Sequence, residues 1–222
     1  MRKYLPEKEL FLGKTIENHV IQEYVGSGNN GLVFRAFNES TNSTHAFKIV
    51  PKDNLAGQYL EEARKANVLE NSSVVRCHGV VEYSDSNVDC VVFIYDYVKG
   101  ESLKDYIKHD QSNIDLHFIE SFLETMLGLL HELKERRYQH GDLHAGNVLV
   151  AKSEFDIRER TTFRVTDFGV RELTGATAHA SDYLHIADTL RQLLERVEYR
   201  DCEGEARYIY TISARFCGTA FN

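Results

Sequence analysis

An α+β fold of two lobes is the architecture that the sequence predicts, on three observations. Short β-branched and aromatic runs, separated by polar turns, fill most of the first hundred residues. Beyond them, apolar residues recur at helical spacing over long stretches. Late in the chain, the loop His140-Gly141-Asp142-Leu143-His144-Ala145-Gly146-Asn147 leads into the apolar run Val148-Leu149-Val150. At 222 residues, with 42% apolar and 27% charged side chains, the chain can bury a real core as an ordinary globular protein.

Residues 1 to 18 are polar and weakly patterned, and a short lead-in helix is expected there. His19 to Val25 reads as a strand and runs into Gly26-Ser27-Gly28-Asn29-Asn30-Gly31. Leu32 to Phe37 then reads as a second strand. The spelling G-x-G-x-x-G also occurs in dinucleotide-binding folds, but there the glycines open a helix. Here strand follows strand, so the stretch is a glycine-rich hairpin, either plain or folded over phosphates.

Thr44 to Val50 is the next strand, with Ala46, Lys48 and Val50 on one face and Phe47 and Ile49 on the other. A lysine in an apolar strand is usually an edge or surface residue. Lys48 also lies seventeen residues after Gly31, where it can reach the α and β phosphates of a nucleotide. Residues 56 to 70 predict a helix, with Leu60, Ala63, Ala66 and Leu69 as its inward stripe. Glu62 or Glu61 can turn inward to pair with Lys48, or both can stay solvated. Strands over Val74–Tyr83 and Val88–Tyr97 complete a largely antiparallel lobe of five strands and one helix.

Asp96 to Glu101 is the linker between lobes, a place where a nucleotide base can meet backbone groups or a mere connection. Ser102-Leu103-Lys104-Asp105 then resembles a capping box with Asp in place of Glu or Gln. Asp115 to Arg137 predicts a long amphipathic helix carrying Ile119, Phe122, Leu123, Met126, Leu127, Leu130 and Leu133. Lys152 to Thr162 is a polar loop between two short strands, and Phe163 to Thr166 precedes Asp167-Phe168-Gly169. Asp182 to Leu194 predicts a helix with Ile186, Ala187, Leu190, Leu193 and Leu194 on one face. Beyond Val197 the pattern fades.

The chemistry-bearing residues suit phosphoryl transfer. Asp142 can take the proton of an attacking hydroxyl, while the Asn147 amide oxygen and the Asp167 carboxylate can hold Mg²⁺ on nucleotide phosphates. His140 and His144 flank Asp142 without the spacing of a zinc helix motif, so His140 is expected to pack and hold the loop. Cys77, Cys90, Cys202 and Cys217 form no C-x-x-C pair and are expected as reduced thiols. The net charge of −8 argues against broad binding to nucleic acid. No apolar run approaches the roughly 20 residues of a membrane span, and Met1 to Glu7 lacks a signal-type segment. A cytoplasmic protein without a membrane partner is expected.

Taken in order, these motifs resemble those of the protein-kinase-like superfamily, over roughly residues 19 to 198. The resemblance implies a bilobal kinase fold. Residues 1–97 would be the N-lobe, and residues 98–222 a reduced, mainly helical C-lobe. The glycine loop falls on Gly26, Gly28, Gly31 and Val33, and the strand-three lysine on Lys48 beside Ala46. The helix-C glutamate falls on Glu62, the residue before the hinge on Tyr95, and the hinge on Asp96 to Val98. The catalytic base falls on Asp142, the metal ligands on Asn147 and Asp167, and the brace of the catalytic loop on Asp182. ATP and Mg²⁺ are the implied cofactors.

The departures bear on the acceptor. Gly141 stands where regulated protein kinases carry the arginine of H-R-D, and His144 stands where they carry a lysine. H-G-D-L-H-A-G-N looks more like aminoglycoside and choline-type phosphotransferases and some atypical or bacterial protein kinases. Only fifteen residues separate Asp167 from Asp182, with no A-P-E between them, and only 55 residues follow Asp167. An atypical Ser/Thr protein kinase is expected first, a small-molecule kinase second, and an idle kinase-fold scaffold third. The acceptor is a hydroxyl on a protein or on a small molecule. His144 is a candidate to neutralise the γ phosphate.

Overall fold

A computed structural model describes residues 5–28, 31–55, 60, 63, 67–109, 114–152, 161–167, 171–172, 180–197, 204, 207 and 211. They belong to two compact units. The first comprises Met1–Val68 and Val75–Val98, the second Leu69–Val74 and Lys99–Asn222.

The first unit is an antiparallel sheet of six strands: β1 (Thr15–Ile16), β2 (His19–Ser27), β3 (Leu32–Asn38), β4 (Ser43–Pro51), β5 (Cys77–Ser84) and β6 (Asp89–Asp96). Their order is β1-β2-β3-β4-β6-β5. Alternation predicted five of these. The sixth, β1, exists because Glu17 (φ 46°) and Asn18 (φ 61°) form a tight two-residue turn that folds Ile16 back onto His19. The lead-in helix expected before it is only a 3₁₀ turn at Lys8–Leu10, after which Phe11 is buried.

Alternation along β4 sorts two cores. Phe47 and Ile49 pack with Phe11, Ile21, Phe34 and Val92 on one face. Val50 packs with Ala63, Val91 and Phe93 on the other. Apolar cover on both faces explains why β6 is a nearly unbroken apolar run rather than an alternating one. Leu60, Ala63, Asn67 and Val68 are helical, as the 56 to 70 pattern predicts. Ala63 is buried, but Leu60 is exposed and takes no part in the core. Glu61, Glu62 and Ala66 lie outside the described residues.

The strand expected from Val74 starts only at Cys77. Val74 instead bridges Val165, and the Val165 N–H donates to the Ser73 carbonyl at 2.6 Å. Arg136 holds the same segment through Glu70 at 3.1 Å and its own Glu132 at 2.9 Å. Pairing with a distant partner thus overrides the β-branched pattern of Val74-Val75.

In the second unit, β7 (Gly100–Ser102) precedes α1 (Leu103–His109) and α2 (Leu116–Glu135). Next come β8 (Tyr138–Gln139), β9 (Val148–Lys152), β10 (Thr161–Val165), β11 (Arg171–Glu172) and α3 (Ala180–Leu194). The sheets are β10-β9-β7 and β11-β8. Ser102 Oγ accepts the Asp105 N–H at 3.1 Å, as a capping box requires, but the Asp105 side chain accepts from the Ser102 hydroxyl instead of from its backbone N–H. Asp115 caps α2 by accepting the Phe118 N–H at 2.8 Å. Ile119, Phe122, Met126, Leu130 and Leu133 are buried as predicted. Leu127 is exposed, and the adjacent turn buries Leu129 in its place. Ile186, Leu190, Leu193 and Leu194 of α3 are buried. No helix among the described residues is long and apolar enough to cross a membrane.

Candidate functional site

Lys48 lies in the first unit, and Asp142, Asn147 and Asp167 lie in the second. In the first unit, strand register sets Gly26 against Val33, Val33 against Lys48 and Lys48 against Phe93, one row across four strands. Ala46, two residues before Lys48, faces Tyr95 on the same side of the sheet. The row therefore gathers Gly26, Val33, Lys48 and Ala46 on the side that also carries Val50 and Phe93. Glu62, the expected partner of Lys48, lies outside the described residues.

The glycines of the hairpin differ in what holds them. A Cβ on Gly31 would run into the Ile49 carbonyl oxygen and lie 2.9 Å from Val50 Cγ2, so β4 itself demands glycine there. A Cβ on Gly26 or Gly28 would meet nothing within 4 Å. The Gly28 N–H donates to the Gly31 carbonyl at 3.0 Å and closes the hairpin.

In the second unit, the loop from His140 to Asn147 is held from three sides. From α3, Asp182 is fully buried and accepts the His140 N–H at 2.9 Å and the Gly141 N–H at 2.8 Å, one on each carboxylate oxygen. From the end of β10, the Thr166 carbonyl accepts from His140 Nε2 at 3.2 Å, and the Thr166 N–H donates to the Asn147 carbonyl at 3.0 Å. Within the loop, His140 Nδ1 accepts the Asp142 N–H at 3.3 Å. A carbonyl can only accept, so His140 is the neutral tautomer with its proton on Nε2. Burial drives its pKa down, against the opposing pull of the Asp182 carboxylate. His140 is thus a buried structural pin. Gly141, at φ 82°, supplies a backbone conformation that a side chain would strain.

Asn147 is buried, and its side-chain NH₂ donates to the Asp142 carbonyl at 2.8 Å and sits 3.4 Å from Asp142 Oδ2. Both neighbours are acceptors, which assigns the nitrogen and leaves Oδ1 as the atom able to ligate a cation. The β9–β10 ladder sets Val148 opposite Val165, so Asn147 and Asp167 stand at neighbouring strand ends. Asp167 has φ 58°, a left-handed kink two residues after the end of β10. An amide oxygen and a carboxylate are the hard oxygen donors that suit Mg²⁺, which takes few protein ligands beside phosphate oxygens. Among the described residues, no group of three or more His, Cys, Asp or Glu is placed to hold a metal by itself.

His144 has a role that spacing alone does not reveal. Its Nδ1 accepts the Gly146 N–H at 3.0 Å and caps the 3₁₀ turn Ala145–Asn147. Its Nε2 faces Asp142 Oδ2 at 3.7 Å. The ring folds so closely over Gly146 that a Cβ there would lie 2.8 Å from His144 Cε1. Thr166 and His185 are the residues that sequence reasoning missed. The His185 ring stands edge-on to His144 with centroids 6.2 Å apart. Its spacing of three from Asp182 on one helix was the available signal. Thr166 acts only through its backbone, and no residue-type pattern marks it.

Comparison with known proteins points to one family. The family model described as protein kinase domain matches residues 19–190. The ovarian-specific serine/threonine-protein kinase Lok of Drosophila melanogaster is 27% identical over 177 residues, covering 74% of this chain and 35% of that protein. A probable cyclin-dependent serine/threonine-protein kinase of Dictyostelium discoideum is 26% identical over 155 residues, covering 70% of this chain and 10% of that protein. The chain thus spans about a third or less of the length of these relatives. With a family match over more than half of its length, the chain belongs to the protein kinase domain family.

Proposed function

We propose that the chain is an ATP- and Mg²⁺-dependent protein kinase domain that transfers the γ-phosphate to a Ser or Thr hydroxyl. The observation that carries this reading is the state of Asp142. Its carboxylate is exposed, while its backbone is tied to Asn147 and His140. An accessible carboxylate on an immobilised backbone is what a residue needs to orient an acceptor hydroxyl and take its proton. Asn147 Oδ1 and Asp167 would hold Mg²⁺, which when bound neutralises charge on the phosphates. In the first unit, Lys48 would orient the α and β phosphates, and the Gly26–Gly31 hairpin would cover the β and γ phosphates. The segment Asp96 to Val98 would meet the base through backbone groups, and Glu62 would steady Lys48. The serine/threonine specificity of the two named relatives supports the acceptor class.

A small-molecule hydroxyl acceptor is the second reading. It is favoured by the loop spelling, with glycine at 141 and the His144 cap in place of a free lysine. Transfer of radiolabelled γ-phosphate to a generic protein substrate, against transfer to a panel of sugars and amino alcohols, separates the two. Asp142→Asn is expected to lower turnover by roughly 10²–10⁴-fold, the range for loss of a general base. Full activity in that variant would refute the proposal.

A further inference from the structure

A row of four polar residues crosses the first unit on the face that also buries Phe47. His19 lies two residues before Ile21 on β2, Ile21 is opposite Ala36, Ala36 is opposite His45, and His45 is opposite Asp96. Ala36 is small enough for the flanking rings to meet over it. His19 Nε2 and His45 Nδ1 are 3.0 Å apart. The His45 and His78 rings then stand edge-on with centroids 5.1 Å apart. His78 is the extra residue of a bulge in β5, and its Nε2 reaches Asp96 Oδ1 at 2.6 Å. Asp96 Oδ2 accepts the Arg76 N–H at 3.3 Å, and the Asp96 N–H donates to the Arg76 carbonyl at 3.0 Å. The row therefore ends by fastening the last residue of β6 to β5.

The hydrogen bonds fix where protons can sit. His19 Nδ1 lies 2.6 Å from the Glu17 carbonyl, so it carries a proton. In neutral His19, Nε2 is then an acceptor, and His45 Nδ1–H donates to it. One added proton can go to His45 Nε2 without breaking that bond. That proton makes His45 a cation whose ring stands edge-on to the His19 and His78 rings, with centroids 4.9 and 5.1 Å away.

The groups facing His45 are His19 from β2, His78 from β5 and Asp96 from β6. Ala36 of β3 contributes no charge. Among the described residues, one carboxylate thus faces three imidazoles. Burial, followed by His19 and His78, holds His45 below the ordinary imidazole range, against the attraction of Asp96. Neutral His45 therefore favours the folded row. Its contribution is present above about pH 6.5 and is lost as pH falls from there toward the depressed value.

We propose that the His19–His45–His78–Asp96 row is a proton-sensitive clamp that secures the Asp96 end of β6 at neutral pH and releases it in weak acid. On the reading above, the segment starting at Asp96 meets the nucleotide base, so the clamp would also set nucleotide affinity. That second step rests on the proposed function, and the first does not.

The test is amide hydrogen exchange at Arg76 and Asp96 in the full chain, corrected for intrinsic exchange, between pH 7.5 and 5.5. One proton taken up on release changes protection by up to about tenfold per pH unit. A fall of about tenfold is expected in the wild type, absent in His45→Gln and reduced in His78→Gln, which alters a half-exposed side chain. Equal falls in wild type and both variants, or no fall in the wild type, would overturn the clamp. Adenosine, which has no phosphate to titrate, serves as the nucleotide probe and is expected to lose affinity in parallel. Adenosine affinity that stays constant while protection falls would overturn the coupling. A failure of adenosine to bind at pH 7.5, with protection still falling only in the wild type, would count against the nucleotide reading while supporting the clamp.

Discussion

Asp182 offers the sharpest test of how the catalytic loop is held. It lies 42 residues from His140, is fully buried, and accepts one loop N–H on each oxygen, at 2.9 and 2.8 Å. Asp182→Ala leaves the buried His140 N–H and the half-buried Gly141 N–H without an acceptor. An orphaned buried donor costs about 1–3 kcal/mol, so the pair costs up to about 6 kcal/mol. Asp182→Asn keeps the shape but turns one acceptor into an NH₂ facing an N–H, losing one charge-assisted bond at about 1.5–3 kcal/mol. For a chain of this size 1 kcal/mol moves Tm by roughly 2–4 °C. Asn should then lower Tm by roughly 3–12 °C, and Ala by more. The assay is thermal denaturation, paired with phosphate transfer at a temperature where both proteins remain folded. Transfer should fall beyond what the lost folded fraction explains, because Asp142 directly follows the two anchored residues. An Asn variant with unchanged Tm and unchanged transfer would refute the bracing argument.

Other perturbations follow from the same geometry. Gly31→Ala forces β4 to move away from the new Cβ and should cost about 1–3 kcal/mol by overpacking, whereas Gly26→Ala meets open space and should leave Tm nearly unchanged. Lys48→Ala should weaken ATP use while near-native circular dichroism shows the fold intact, and unchanged turnover would reject the role given to Lys48. Native His140 takes up its proton less readily than it does in the unfolded chain, so it contributes a loss of stability as pH falls from about 6.5 toward its depressed value. His140→Phe should flatten that part of a urea-midpoint profile, while lowering stability overall by orphaning the Asp142 N–H and the Thr166 carbonyl. Gly146→Ala should displace the His144 ring from its cap, visible as altered His144 ring signals in nuclear magnetic resonance.

Much of the architecture was legible because burial follows local periodicity. Phe47 and Ile49 entered one core and Val50 the other, as alternation along a pleated strand requires. The heptad-like stripe of α2 placed Met126 and Leu133 inside. The errors fall where a distant partner outweighed the local pattern. Leu60 and Leu127 carry the residue type of a core position but lie exposed on their helices. Val74 has the composition of a strand, yet it pairs with Val165, ninety-one residues later.

Order and spacing carried a resemblance to the family that the protein kinase domain match shows, and local periodicity placed most of the strands and the loop from His140 to Asn147. These follow from nearest-neighbour periodicity and from residue chemistry, both of which are local. Only the tertiary structure decided the hydrogen bonds by which Asp182 and Thr166 hold His140, and that three other histidines form a row ending at Asp96. Those bonds join groups dozens of residues apart. Such bonds are set by chain closure and packing, and no pattern within one segment encodes them.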